Sequence, residues 1–230
     1  MLGSWKKSLQ YAYYNHGVIS RVNAERQVSW IIVDLSLTHI QEKQVDHKLD
    51  QMLNGLNRLF KYKRIKQVTL GYFRMLEVVK VGDWYQPTIH LLLPMIKSYF
   101  QGRYYIKKDE WVSLWARSMD QEPDEHFNVS ITSLNEKECT PEMMRSMEDG
   151  LAMLADMPEE ASFKGTNPFS TRRLVGYSRL LKEHLVKEES DISYGVAQYL
   201  INDSIANQAF HIMKDWHLGL WISESKQSYT

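Results

Sequence analysis

The chain has 230 residues, 43% of them apolar and 24% charged, with 28 basic residues against 28 acidic ones. That composition excludes a disordered tail, a collagen-like rod and a disulfide scaffold, and the zero net charge argues against coating nucleic acid by bulk charge. A single cysteine, Cys139, forms no intramolecular disulfide and suits a reducing cytoplasm, and the short apolar runs predict no transmembrane span or signal peptide.

In chain order, residues 5–27 read as an amphipathic helix. Val28–Leu37 is β-branched and bounded by polar residues, which predicts a strand. Asp46–Lys63 repeats Leu49, Met52, Leu53, Leu56, Leu59 and Phe60 at helical spacing. Val68–Val79 and Pro87–Met95 are strand-like runs joined by a turn at Gly82 and Asp83, so they form a hairpin. Asp109–Met119 predicts a helix with Trp111, Leu114 and Trp115 on one face, and Phe127–Thr132 a short strand. Thr140 caps the next helix, Pro141 takes its first position, and Pro158 ends it beyond Asp156. Phe163–Phe169 reads as a loop, Ser170 or Thr171 as the cap of a helix reaching Glu188, and Ile205–Trp216 as a last helix. Helices alternating irregularly with a hairpin predict an α+β fold, an antiparallel β-sheet with helices packed on its faces. We expect one domain over 1–230, with a sheet-containing core at 1–163 and a helical extension at 164–230.

The neutral total conceals a sharp division. Residues 58–108 carry a net charge of +9 and residues 109–163 a net charge of −11. The basic stretch is interleaved with Phe60, Tyr62, Tyr72, Phe73, Tyr99, Phe100, Tyr104 and Tyr105. Phosphates would take the charge and aromatic faces would stack bases; the alternative is a solvated face over a core.

Three runs in this stretch carry a resemblance. They are Leu56-Asn57-Arg58-Leu59-Phe60-Lys61-Tyr62-Lys63, Gly71-Tyr72-Phe73-Arg74-Met75-Leu76-Glu77 and Ile89-His90-Leu91-Leu92-Leu93-Pro94. With Lys97-Ser98-Tyr99-Phe100, Glu110-Trp111, Thr171-Arg172-Arg173-Leu174-Val175-Gly176-Tyr177 and the segment from Met213 to Gly219, the ordered set resembles the rolling-circle plasmid replication initiators of bacteria. The resemblance implies a His-hydrophobic-His endonuclease fold that nicks one DNA strand. A histidine pair on a strand holds a divalent metal, and a tyrosine standing before a proline attacks the scissile phosphate. Alternate strand residues share a face, which is why histidines two apart serve one ion.

This sequence departs from that pattern at four positions. Gln86 and Thr88 stand where the family has histidines, leaving His90. Met157, before Pro158, occupies the tyrosine place and Met153 the place of an auxiliary glutamate. A thioether neither attacks phosphorus nor acts as a base. No catalytic residue is therefore expected, and Gln86, Thr88, Met153 and Met157 mark a degenerate site. Glu77 and His90 read either as residual metal ligands or as polar residues hydrogen-bonded on a half-buried strand. Lys61, Lys63, Arg64, Lys66, Arg74, Arg172 and Arg173 are the expected DNA contacts.

The expected function is DNA binding in rolling-circle replication or its regulation, without nicking. The expected partners are replication-origin DNA, single- or double-stranded, and an active initiator or host replication proteins, with no membrane. No cofactor is expected beyond a residual Mg²⁺ or Mn²⁺. Two alternatives remain: an active nicking enzyme using a displaced tyrosine (Tyr177, Tyr194 or Tyr199), and a protein interaction module without DNA.

Overall fold

The computed structural model describes residues 2–135, 140–156, 173–185 and 203–222. Its elements in chain order are α1 (Leu2–Glu25), β1 (Val28–Leu37), α2 (Val45–Leu59), the single turn α3 (Lys63–Lys66), β2 (Gly71–Val81) and β3 (Trp84–Ile96). There follow α4 (Lys108–Ser118), β4 (Phe127–Leu134), α5 (Pro141–Asp156), β5 (Val175–Arg179), α6 (Leu180–Glu183), α7 (Ser204–Met213) and β6 (Gly219–Ile222). The strands form one sheet in the order β4-β1-β3-β2-β5, antiparallel throughout, and β6 adds to β2 in parallel. The α+β class and its antiparallel sheet are as the sequence implied.

Strand alternation divides the core into two layers. Ile89, Leu91 and Leu93 of β3, with Val33, Leu35, Leu76 and Val78, pack against Leu49, Met52, Leu56 and Leu59 of α2 and Trp111, Leu114 and Trp115 of α4. Leu92, with Trp30, Ile32, Phe73 and Met75, packs against Leu9, Tyr13, Ile19 and Val22 of α1, Met147 of α5 and Phe210 and Met213 of α7. Each such side chain, fully buried, contributes about 1.5–3 kcal/mol. His90 shares the face of Leu92, so it lies under α1, α5 and α7.

Local chemistry sets the helix starts. The Thr140 hydroxyl accepts from the Met143 amide at 3.3 Å, and Asp203 caps α7 by accepting from Ile205 and Ala206 at 3.0 and 2.9 Å. Gly150 lets α5 sit close on α1, since a Cβ there would lie 2.8 Å from the Tyr13 hydroxyl.

Residues 175–179 correct one expectation. The helix expected from Ser170 or Thr171 to Glu188 is, where described, a strand at Val175–Arg179 followed by one helical turn. Val175-Gly176-Tyr177 is a poor helix former, and the edge of β2 offers it a ladder from Gly71 to Met75. The described part of 164–230 therefore supplies two strands to the sheet, β5 and β6, as well as α6 and α7.

Candidate functional site

The strand register assembles the site. Asp34 of β1 and Met75 of β2 both pair with His90 of β3, and Ser36 and Glu77 both pair with Thr88. Residues on alternating positions of adjacent strands share a face, so Asp34, Ser36, Glu77, Thr88 and His90 lie together beneath α1 and α5. The parallel pairing of Gly219 with Glu77 brings the segment before β6 to the same place.

His90 is the centre. Its Nδ1 lies 2.8 Å from Asp34 Oδ1 and its Nε2 lies 2.6 Å from Glu77 Oε2. The other oxygen of Glu77 is 3.2 Å from Nδ1 of His217. Trp216 stacks on the His90 ring with centroids 4.6 Å apart and planes 14° apart. His90 and Glu77 are each only 7% exposed. Burial by itself would pull the His90 pKa down. The hydrogen bonds and charges of Asp34 and Glu77 outweigh it and hold the pKa above its ordinary value of 6.5.

Both ring nitrogens thus face carboxylate oxygens, and in the protonated ring both donate. An imidazolium that donates twice has no lone pair, so in this state it neither ligates a metal nor accepts a proton. The Thr88 hydroxyl is likewise taken, 2.9 Å from Ser36 Oγ. Among the described residues no group of three histidine, cysteine or carboxylate side chains is arranged to hold a metal ion. In that protonated state His90 is not a metal ligand, and Asp34, Glu77 and His217 are engaged with it or with one another. What this donor set can do is bind together β1, β2, β3 and the segment before β6 through one charged cluster.

The other expected residues separate. Met153 lies on α5, on the layer that covers His90, and is 51% exposed. Met157 and Arg172 fall outside the described residues, as do Tyr194 and Tyr199. Tyr177 packs on Phe73 at 4.8 Å with its hydroxyl buried, and burial raises its pKa far above that of a free tyrosine, with the nearby Tyr11 adding to the effect.

Lys61, Lys63 and Lys66 are exposed on α3 and the turn before it. Arg64 is engaged: its Nε donates to Glu110 at 2.7 Å, and its two terminal nitrogens donate to the carbonyls of Arg103 at 2.6 Å and Tyr105 at 2.8 Å. It holds the 103–105 turn against α4 and is not a free phosphate contact. Arg74 is half-buried on β2, and Arg173 is exposed just before β5.

Sequence reasoning missed Asp34 and His217. A lone acid inside the apolar run of β1 was the available signal for Asp34. For His217 the signal was its place in the Met213–Gly219 segment, where it and Trp216 read as packing residues.

The family model described as replication protein matches residues 2–219. A "Protein rep" of Bacillus amyloliquefaciens is 30% identical over 94% of this chain and 72% of its own length. A "Protein rep" of a Bacillus species is 36% identical over 50% of this chain and 38% of its own length. A "Replication protein" of Staphylococcus aureus is 22% identical over 88% of this chain and 95% of its own. No solved structure matches significantly.

Proposed function

The chain belongs to the rolling-circle plasmid replication initiator family, and from that premise we propose that it is a DNA-binding member that has lost the nicking reaction. It recognises a replication origin, or an active initiator or host replication protein assembled there, and regulates replication without cutting.

The observation that carries this reading is the closure of His90 between Asp34 and Glu77. Nicking in this family's manner requires a metal to polarise the phosphoryl oxygen and a nucleophile to attack it. Here the remaining strand histidine is ion-paired on both sides, and its former companions are Gln86 and Thr88. Met153 replaces the auxiliary glutamate, and Tyr177 is too buried and too weakly acidic to serve as a displaced nucleophile. DNA binding is supported by the net charge of +9 over residues 58–108 and by the exposure of Lys61, Lys63 and Lys66.

The test is a nicking assay on supercoiled plasmid carrying the cognate origin, with Mg²⁺ or Mn²⁺. The expected result is origin-dependent binding in a gel shift, weakening steeply with salt, and no relaxed product. Origin-specific nicks with a covalent 5′ adduct would overturn the loss of nicking. Absence of salt-dependent binding would overturn the DNA-binding part and favour a protein interaction module.

A further inference from the structure

The edge of the sheet at β4 is built differently from the edge at β5 and β6. β5 has five residues, follows Arg173 and ends at Arg179, and β6 has four. β4 runs for eight residues, Phe127–Leu134, with no charge, no proline and an unbroken register against β1. Charged side chains, prolines and bulges keep an edge strand from pairing with another chain, and β4 has none of them.

The ladder fixes which backbone groups of β4 face outward. The Thr38 amide donates to the His126 carbonyl at 3.0 Å, one step beyond the pair of Leu37 with Phe127. Opposite residues in an antiparallel ladder alternate between exchanging hydrogen bonds and pointing away from one another. Asn128, Ser130 and Thr132 therefore bond to β1, and Val129, Ile131 and Ser133 turn their amides and carbonyls outward. Among the described residues none of these outward groups has a hydrogen-bond partner. A groove of about 740 Å³ runs beside them, lined by Ile131 and Ser133 and by Phe100, Tyr105 and Lys108. Phe100 and Tyr105 are 44% and 41% exposed there.

The register also separates charge along β4. Ile96 pairs with Val28 and Leu134 with Trp30, so β3 and β4 finish at the same end of the sheet, and Phe127 pairs with Leu37 at the other. The segment leaving β3, residues 97–108, carries a net charge of +4 and no acid. The loop entering β4, residues 120–125, carries −4 and no base. Arg103, Lys107 and Lys108 are exposed in the first, and Glu122, Asp124 and Glu125 in the second.

We propose that this edge is the docking surface for a second copy of the chain, β4 pairing antiparallel with the partner's β4 about a two-fold axis at Ile131. That register sets Ile131 opposite the partner's Ile131 and Val129 opposite the partner's Ser133, so every outward amide meets a carbonyl. The reversal brings the acidic entry to β4 of one copy beside the basic segment of the other, at both ends of the seam. A strand from another protein would satisfy the backbone equally; the opposite charges at the two ends select a second copy. The absence of charge on β4 fits the two-fold as well, since a charge near Ile131 would face its own like. This pairing does not depend on the DNA-binding reading.

The experiment is sedimentation velocity of the full chain across a concentration series, with amide hydrogen exchange followed over the same series. The unaltered chain is expected to pass from monomer to dimer, and the amides of Val129, Ile131 and Ser133 to exchange more slowly as the dimer forms. Ser133→Pro removes an outward amide that makes no bond to β1. It should leave the fold intact and weaken self-association by about tenfold or more. Should that variant not fold, the loss of protection at Val129 and Ile131 on dilution of the unaltered chain carries the test.

A chain that is monomeric throughout would overturn the proposal, and protected Val129 and Ile131 amides in that monomer would mean that the edge is covered from within the same chain. A dimer that Ser133→Pro leaves equally strong would also overturn it, by placing the contact elsewhere.

Discussion

The two faces of the sheet treat charge in opposite ways. Under α1 and α5, the His90 ring sits between Asp34 and Glu77, and Glu77 reaches on to His217. Each of these four side chains has a partner inside the protein. On the α2 side, Arg74 has a buried Nη1 with no hydrogen-bond partner among the described residues, and Lys61, Lys63 and Lys66 are exposed on α3 and the turn before it. On the proposed reading, the face that satisfies itself is structural and the face that leaves positive charge exposed is the one that meets DNA.

Substitution of His90 should break this contrast most severely. His90→Ala leaves the buried carboxylate of Glu77 and the half-buried one of Asp34 without their shared partner, and loss of one partner from a buried ion pair costs about 3–5 kcal/mol. Urea denaturation should show that loss, and an unchanged midpoint would mean that the cluster is not structural.

The pH dependence comes next. The folded-state pKa of His90 lies above its ordinary 6.5. Its stabilising contribution is therefore complete below that value and is lost as pH rises through the higher folded-state pKa. The melting temperature should fall across that interval above 6.5, and the fall should be absent in His90→Gln.

A smaller effect is expected at Arg64. Replacement by alanine removes a half-exposed ion pair to Glu110 and two hydrogen bonds to carbonyls, a cost of about 1–2 kcal/mol. DNA affinity should change little beyond the effect of the lost charge. The smallest effect on stability belongs to Lys61→Ala, Lys63→Ala and Lys66→Ala. Each should stay within about 0.5 kcal/mol by thermal melting while weakening oligonucleotide binding. A lysine variant that leaves binding unaltered would remove that residue from the binding face.

Much of the contrast was legible in the sequence. The hairpin, the capped helix after Thr140 and the helical spacing of α2 declare themselves because each is encoded locally, by alternation, by a cap and by a repeat of three and four. β5 did not, because a strand that completes a sheet edge depends on β2, a hundred residues earlier in the chain. β6 is parallel to β2 and leaves no local signature at all. Glu77 and His90 stood out by resemblance. Their pairing with Asp34 and His217 did not, since it is a product of register across three strands and of the return of the chain at Gly219. Arg64 was read as a phosphate contact from its place in a basic run, and its carbonyl partners at 103 and 105 lie beyond any local pattern.

The central claim is that His90 is bound by carboxylates on both ring nitrogens and is closed to metal. The most direct measurement is a nitrogen NMR spectrum of the His90 ring at neutral pH during a titration with Mn²⁺. The expected result is a doubly protonated ring whose signals are untouched by the ion. A ring with one bare nitrogen, broadened selectively at stoichiometric Mn²⁺, would contradict it.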